Sequence, residues 1–196
     1  IFGTAAAGGV FVPVNPLLKP GQVAYILDDC QARVLVTSKA RLAALAPALA
    51  ACKHLRAVIV ADGGGPFPGI AGVRVSAWDD AHDTPAEPAQ EAIDADMAAI
   101  LYTSGSTGMP KGVVLTHRNL VAGADSVAGY LENSPLDRIL SVLPLSFDYG
   151  LSQLTTAFRS GAAVVLLNYL FPRDILDAVV RERITGLAAV PPLWMQ

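Results

Sequence analysis

Residues 98 to 116 read AAILYTSGSTGMPKGVVLT: an apolar run, a small polar turn, a Pro-Lys-Gly, then a second apolar run. Stretches this rich in Ile, Leu and Val predict two β-strands, near 98–103 and 112–116. A plain strand-to-strand connection needs no such turn. Thr103, Ser104, Ser106 and Thr107 put four hydroxyls in five positions, and Gly105 and Gly108 let the backbone approach a ligand with its N–H groups turned inward. These are parts for holding an anion. Lys111 adds a mobile positive charge at the far end, and Pro110 stiffens the chain beside it, a combination suited to a polyphosphate that binds with Mg2+.

The spacing is not that of a Walker A loop. With Gly105 set on its first Gly, Lys111 falls on the Lys position, but Pro110 stands where a Gly is needed and Gly112 where Ser or Thr would hold the magnesium. A Walker loop also opens a helix, whereas VVLT predicts a strand, so a helix dipole is excluded as the main anion trap.

Outward from the loop, apolar runs of strand length alternate with stretches of helical spacing. The predicted strands lie near 10–14, 33–37, 57–61, 98–103, 112–116, 139–143, 162–167 and 187–190. The predicted helices lie near 21–30, 39–51, 117–131, 150–159 and 172–183, with Pro20, Ser38, Thr116 and Pro172 as start signals. That alternation predicts an α/β fold of mostly parallel sheets flanked by helices. DGGGPFPGIAG at 62–72 and DTPAEPAQEA at 83–92 read as loops, and the second is a candidate boundary between two lobes.

The chain is 196 residues long, 53% hydrophobic and 16% charged, values that suit a globular domain with a substantial core. Net charge is -3 with Lys and Arg scattered, which excludes an electrostatic footprint for nucleic acid or anionic lipid. Cys30 and Cys52 lack CxxC spacing and read as small buried side chains of a cytoplasmic protein, outside any disulfide framework or zinc site. His54, His82 and His117 form no ligand pattern, so no protein-held metal is expected. No apolar stretch reaches the roughly 20 residues of a membrane span: the opening run stops at Asn15, and those at 42–51 and 161–171 contain Pro47 and Asn168. The chain opens at Ile1 without a basic leader and closes at Gln196 just after the apolar LAAVPPLWM, so both ends read as truncations.

YTSGSTGMPKGV at 102–113 resembles the signature motif of the adenylate-forming superfamily, which includes acyl-CoA synthetases, acyl-AMP ligases, peptide-synthetase adenylation domains and luciferases. GGVFVPVNPLLKPGQVAYILDDCQARVLVTS resembles the superfamily's segment upstream of that motif, and LAAVPPLWMQ its Val-Pro stretch downstream. The resemblance implies that residues 1–196 are part of the large N-terminal domain. It also implies that ATP activates a small-molecule carboxylic acid as acyl-AMP, with coenzyme A or the phosphopantetheine of an acyl carrier protein as acceptor. Thr103, Ser104, Gly105, Ser106, Thr107, Gly108 and Lys111 would hold the ATP phosphates, with Lys111 as the catalytic cation that offsets departing charge. The superfamily's adenine-gripping Gly-Tyr-Gly-x-Thr-Glu stretch, its ribose-binding Asp and its C-terminal domain with a catalytic Lys do not occur in this sequence, so this chain alone is not expected to turn over.

On the acid side, LPLSFDYGLSQL at 143–154 resembles the next superfamily landmark, with Phe147 where acyl-CoA synthetases often carry His. Phe147 is a candidate wall or gate of the acyl pocket, or else a core aromatic. Asp148 matches the Phe-Asp of amino-acid adenylation domains, whose Asp pairs with the substrate amine. It equally matches fatty acyl-AMP ligases through Asp148-Tyr149-Gly150-Leu151, and a helix cap near Gly150 explains it as well. Three readings stay open: a fatty or other organic acid ligase, an amino-acid adenylation domain, and a nucleotide-binding relative that activates no acid. His117 and Arg118 after the Thr116 cap, and Arg173 with Asp174, read as ordinary helix construction. Trp194 and Met195 read as core or pocket lining.

Overall fold

The computed structural model describes residues 1–82, 91–103 and 109–195. The first half contains α1 (Phe2–Ala6), α2 (Pro20–Asp29), β1 (Val34–Thr37), α3 (Lys39–Leu49), β2 (Ala57–Val60), β3 (Arg74–Ala77), α4 (Trp78–His82) and β4 (Met97–Thr103). Then follow β5 (Lys111–Thr116), α5 (His117–Tyr130), β6 (Arg138–Ser141), α6 (Asp148–Ser160), β7 (Ala163–Leu166), α7 (Pro172–Arg181), β8 (Gly186–Leu187) and α8 (Pro191–Trp194). Two compact units result: one from Ile1–Pro13, Gln90–Leu101 and Val113–Gln196, the other from Val14–Ala89 and Tyr102–Gly112.

In the unit built on Val14–Ala89, β1, β2 and β3 form a parallel sheet with Val34 opposite Ala57 and Val58 opposite Val75. Its core gathers Val23 and Leu27 of α2, Leu42, Leu45 and Leu49 of α3, and Val58 and Val60 of β2. Full burial of each such side chain contributes about 1.5–3 kcal/mol. Pro20 occupies the first turn of α2, where its missing N–H costs nothing. Ser38 caps α3 by accepting the Arg41 N–H at 3.2 Å. Pro47 lies in the last turn of α3, and the helix runs on past it to Leu49.

In the other unit, β6 is the central strand of a parallel sheet ordered β7-β6-β8. Leu140 and Val142 from that region pack on Ile175 and Ala178 of α7. A second cluster joins Phe11, Ala99, Leu101 and Leu151. Gly161 closes α6 in the left-handed conformation at φ 70. Asp174 accepts the N–H groups of Leu170 and Phe171, both at 2.9 Å, at the start of α7. These hydrogen bonds hold its carboxyl below the usual range.

The α/β class with parallel sheets is the one the sequence predicts, and seven of the expected strands and all five expected helices are present within a few residues. The expected strand at 10–14 is not. Phe11 makes one parallel bridge to Ala99, its N–H reaching Ala98 O and its carbonyl receiving Ile100 N–H, both at 3.0 Å. Pro13 then has no N–H to extend a ladder. α1, β3, α4 and α8 were not anticipated, being too short to show a period. Residues 62–72 are loop apart from an Ile70–Val73 bridge, while 83–90 of the second expected loop lie outside the described residues. Among the described residues no helix is long and apolar enough to cross a membrane.

Candidate functional site

β4 and β5 are neighbours in a two-stranded sheet, so the signature loop leaves one strand end and returns at another. Ala98, Ala99 and Leu101 fix β4 by burial. Thr103 ends that strand and Lys111 begins β5, and both are exposed. Ser104, Gly105, Ser106, Thr107 and Gly108 lie outside the described residues.

Both stems of the loop are tied to α2. The Tyr102 hydroxyl donates to Asp29 Oδ2 at 2.5 Å, and the Tyr25 hydroxyl donates to the Pro110 carbonyl at 3.3 Å. Burial, aided by the Asp29 carboxylate, pushes the Tyr102 phenol above the ordinary tyrosine range, so it remains a donor at neutral pH. Burial also raises the Cys30 thiol beside it. Cys52 is buried as expected, whereas Cys30 is only half-buried, because it sits at the end of α2 facing Tyr102; both thiols are free. Sequence reasoning missed Tyr25 and Asp29. Their spacing of one helical turn was visible, but its partner residues were not.

Phe147 and Asp148 belong to the other unit. α6 begins at Asp148 with Phe147 as its N-cap residue, two positions ahead of the start near Gly150 that the sequence suggested. Asp148 Oδ1 accepts the N–H of Tyr149 at 2.8 Å within the first turn. Phe147 is 45% exposed, which removes its reading as a core aromatic. Asp148, with Leu101, Leu115, Leu120, Leu151 and Thr155, lines a mainly apolar cleft of about 90 Å³. Gly150 sets this arrangement: a Cβ there would stand 2.2 Å from Pro144 O, so the first turn of α6 lies against the preceding backbone. Further along, the buried Gln153 donates through Nε2 to Ala188 O at 3.2 Å and Leu140 O at 3.5 Å, tying α6 to β6 and to the segment after β8.

The lesser candidates take structural roles. Thr116 caps α5 by accepting Asn119 N–H at 3.2 Å, and Arg118 pairs with Asp94 at 2.8 Å on the surface. His117 lines a separate cleft of about 220 Å³ with Glu91 and Asp96. Trp194 and Met195 are 63% and 79% exposed, not core: in the single turn α8 it is Leu193 that packs on the cluster around Leu140 and Ile175, while Trp194 Nε1 donates to Ala189 O at 3.2 Å. Among the described residues no group of three or more His, Cys, Asp or Glu converges as metal ligands would.

A family model described as AMP-binding enzyme matches residues 1–196. The 4-coumarate--CoA ligase of Pinus taeda is 34% identical over 198 residues, covering 97% of this chain and 35% of that protein. A linear gramicidin synthase of Brevibacillus parabrevis is 33% identical over 193 residues, covering 97% of this chain and 2% of its own length. Among solved structures, the anthranilate CoA ligase AuaEII in complex with anthranoyl-AMP superposes with a TM-score of 0.85 at 27% identity. That match covers 98% of this chain and 37% of the ligase, so the chain spans roughly a third of both CoA ligases.

Proposed function

Since the chain belongs to the family of AMP-binding enzymes, we propose that the protein uses ATP to activate a carboxylic acid as its acyl-adenylate, releasing pyrophosphate. The observation that carries this reading is the pair of exposed strand ends, Thr103 and Lys111, on either side of a Ser/Thr/Gly loop of the family's composition. A carboxylate oxygen attacks the α phosphorus, the new acyl O–P bond forms, and the bond from that phosphorus to the bridging oxygen breaks. The electron pair leaves with pyrophosphate. Lys111, as the catalytic cation, offsets the charge that collects on the β and γ phosphates, and the loop hydroxyls and N–H groups of Thr103, Ser104, Gly105, Ser106, Thr107 and Gly108 share that task. Mg2+ bound with the nucleotide would add to that neutralisation of phosphate charge.

The acyl group then passes to a thiol, of coenzyme A or of a carrier-protein phosphopantetheine; the CoA ligases and the gramicidin synthase among the relatives support these acceptors. The free thiols of Cys30 and Cys52 support a cytoplasmic setting. A fatty or other organic acid is the favoured substrate, its tail against the apolar side chains of the α6 region, with Phe147 as a wall of the acyl pocket. The alternative, an amino acid, is favoured by one observation: the Asp148 carboxylate stands in the first turn of α6 on the rim of that cleft, where an ammonium could reach it.

Acid-dependent exchange of pyrophosphate into ATP tests both. The full-length protein is expected to exchange with medium-chain fatty acids or aryl acids and not with amino acids. Response to amino acids alone, lost in Asp148→Ala, would favour the alternative. ATP binding with no exchange on any acid would remove the ligase reading.

A further inference from the structure

We propose that α2 fixes the two stems of the phosphate loop, with Tyr25 and Asp29 acting as positioning residues that hold the chain at Pro110 and at Tyr102. This rests on the reading of the loop as a triphosphate grip. Tyr25 and Asp29 are four residues apart, so they share one face of α2 with about 6 Å of rise between them. The opposite face is anchored, since Val23, Ile26 and Leu27 are 2%, 1% and 4% exposed. α2 therefore cannot shift without opening the core beneath it.

The two tethers fall on the residues next to the ligand-binding side chains. Pro110 O, which accepts from Tyr25, belongs to the same rigid peptide plane as the N–H of Lys111, so that hydrogen bond orients the plane from which the lysine departs. Tyr102, which donates to Asp29, immediately precedes Thr103. Stems fixed in advance leave less conformational entropy to lose on binding. The polyphosphate then meets Thr103 and Lys111 already at their stations. The raised phenol of Tyr102 keeps this donor in place across the physiological range.

The test uses the full-length protein, with MgATP and AMP as separate probes in calorimetric titrations of the wild type, Tyr25→Phe, Tyr102→Phe and the double variant. Loss of one such hydrogen bond should raise the MgATP Kd about 3- to 10-fold, and of both at least 10-fold. AMP, which has no β and γ phosphates, should bind within about 2-fold of wild type. A double variant with wild-type MgATP affinity would overturn the proposal, as would equal weakening of MgATP and AMP, the mark of a merely structural role. Lys111→Ala separates the two layers. Unchanged MgATP affinity there would sink the loop reading itself, whereas a weakened Lys111→Ala beside an unaffected double variant would sink only the role of α2.

Discussion

Around Tyr102 and Pro110 the backbone is held by side chains, a phenol on a carboxylate and a second phenol on a carbonyl. Around Asp148 it is held by backbone contact, with Gly150 flush against Pro144 O. The first arrangement fixes the backbone and leaves Thr103 and Lys111 at the strand ends exposed. The second shapes a cleft whose occupant depends on packing. On the proposed reading the first region serves a polyphosphate, whose charges are the same in every adenylate-forming reaction, and the second an acid, which differs from enzyme to enzyme, so the two answer to different constraints.

The largest expected effect falls on the side-chain region. On the proposed reading Lys111→Ala removes the charge that offsets the departing pyrophosphate, and loss of one such electrostatic group costs on the order of 10²-fold or more in rate. Exchange of pyrophosphate into ATP should fall by that factor while thermal unfolding stays put, because Lys111 is exposed. An exchange rate within a few-fold of wild type would place the charge compensation elsewhere. Gly150→Ala tests the backbone region and should reverse the pattern. Its Cβ would overlap Pro144 O, an atom that cannot swing away, so about 1–3 kcal/mol of stability should be lost, with the start of α6 displaced. Chemical denaturation reads the loss; an unchanged midpoint would show that α6 can pivot there.

The same contrast explains what the sequence could disclose. The signature motif is legible because it is written in residue type: hydroxyls, glycines and one lysine in a fixed order. The strands and helices with full periods are legible for a similar reason, each carrying its own pattern, as in Val23, Ile26 and Leu27 of α2. What stays hidden is tertiary. Nothing in YILDD announces that Tyr25 and Asp29 will meet residues more than seventy positions away. Gly150 looks like any small residue until Pro144 is opposite it, and Phe11 looks like a strand residue until Pro13 ends its pairing after one bridge. The setting of Phe147 and Asp148 is hidden for the same cause, since only the fold shows one exposed and the other lining a cleft.

The smallest expected effect concerns pH, and it separates the two units. In the unit built on Val14–Ala89 the departures of Cys30, Cys52 and Tyr102 all run upward, chiefly through burial of neutral groups. In the unit that carries α6, those of Asp137, Asp174 and Glu182 run downward. Thr185 and Ser134 donate to Asp137, the N–H groups of Phe171 and Leu170 to Asp174, and the Arg181 guanidinium to Glu182. A carboxyl held below its unfolded value contributes stability that is fully present above that value, near pH 4, and is lost as pH falls through the folded one. Acidification from about pH 5 towards 2.5 should therefore lower hydrogen-exchange protection in β6, β7, β8 and α7 before it does so in α2 and α3. Asp137→Asn should flatten part of that slope, because an amide no longer titrates yet still accepts from Thr185. Equal loss of protection in both units, or an unaltered slope in Asp137→Asn, would show that these surface hydrogen bonds are too well screened by solvent to set the acid stability of the sheet they border.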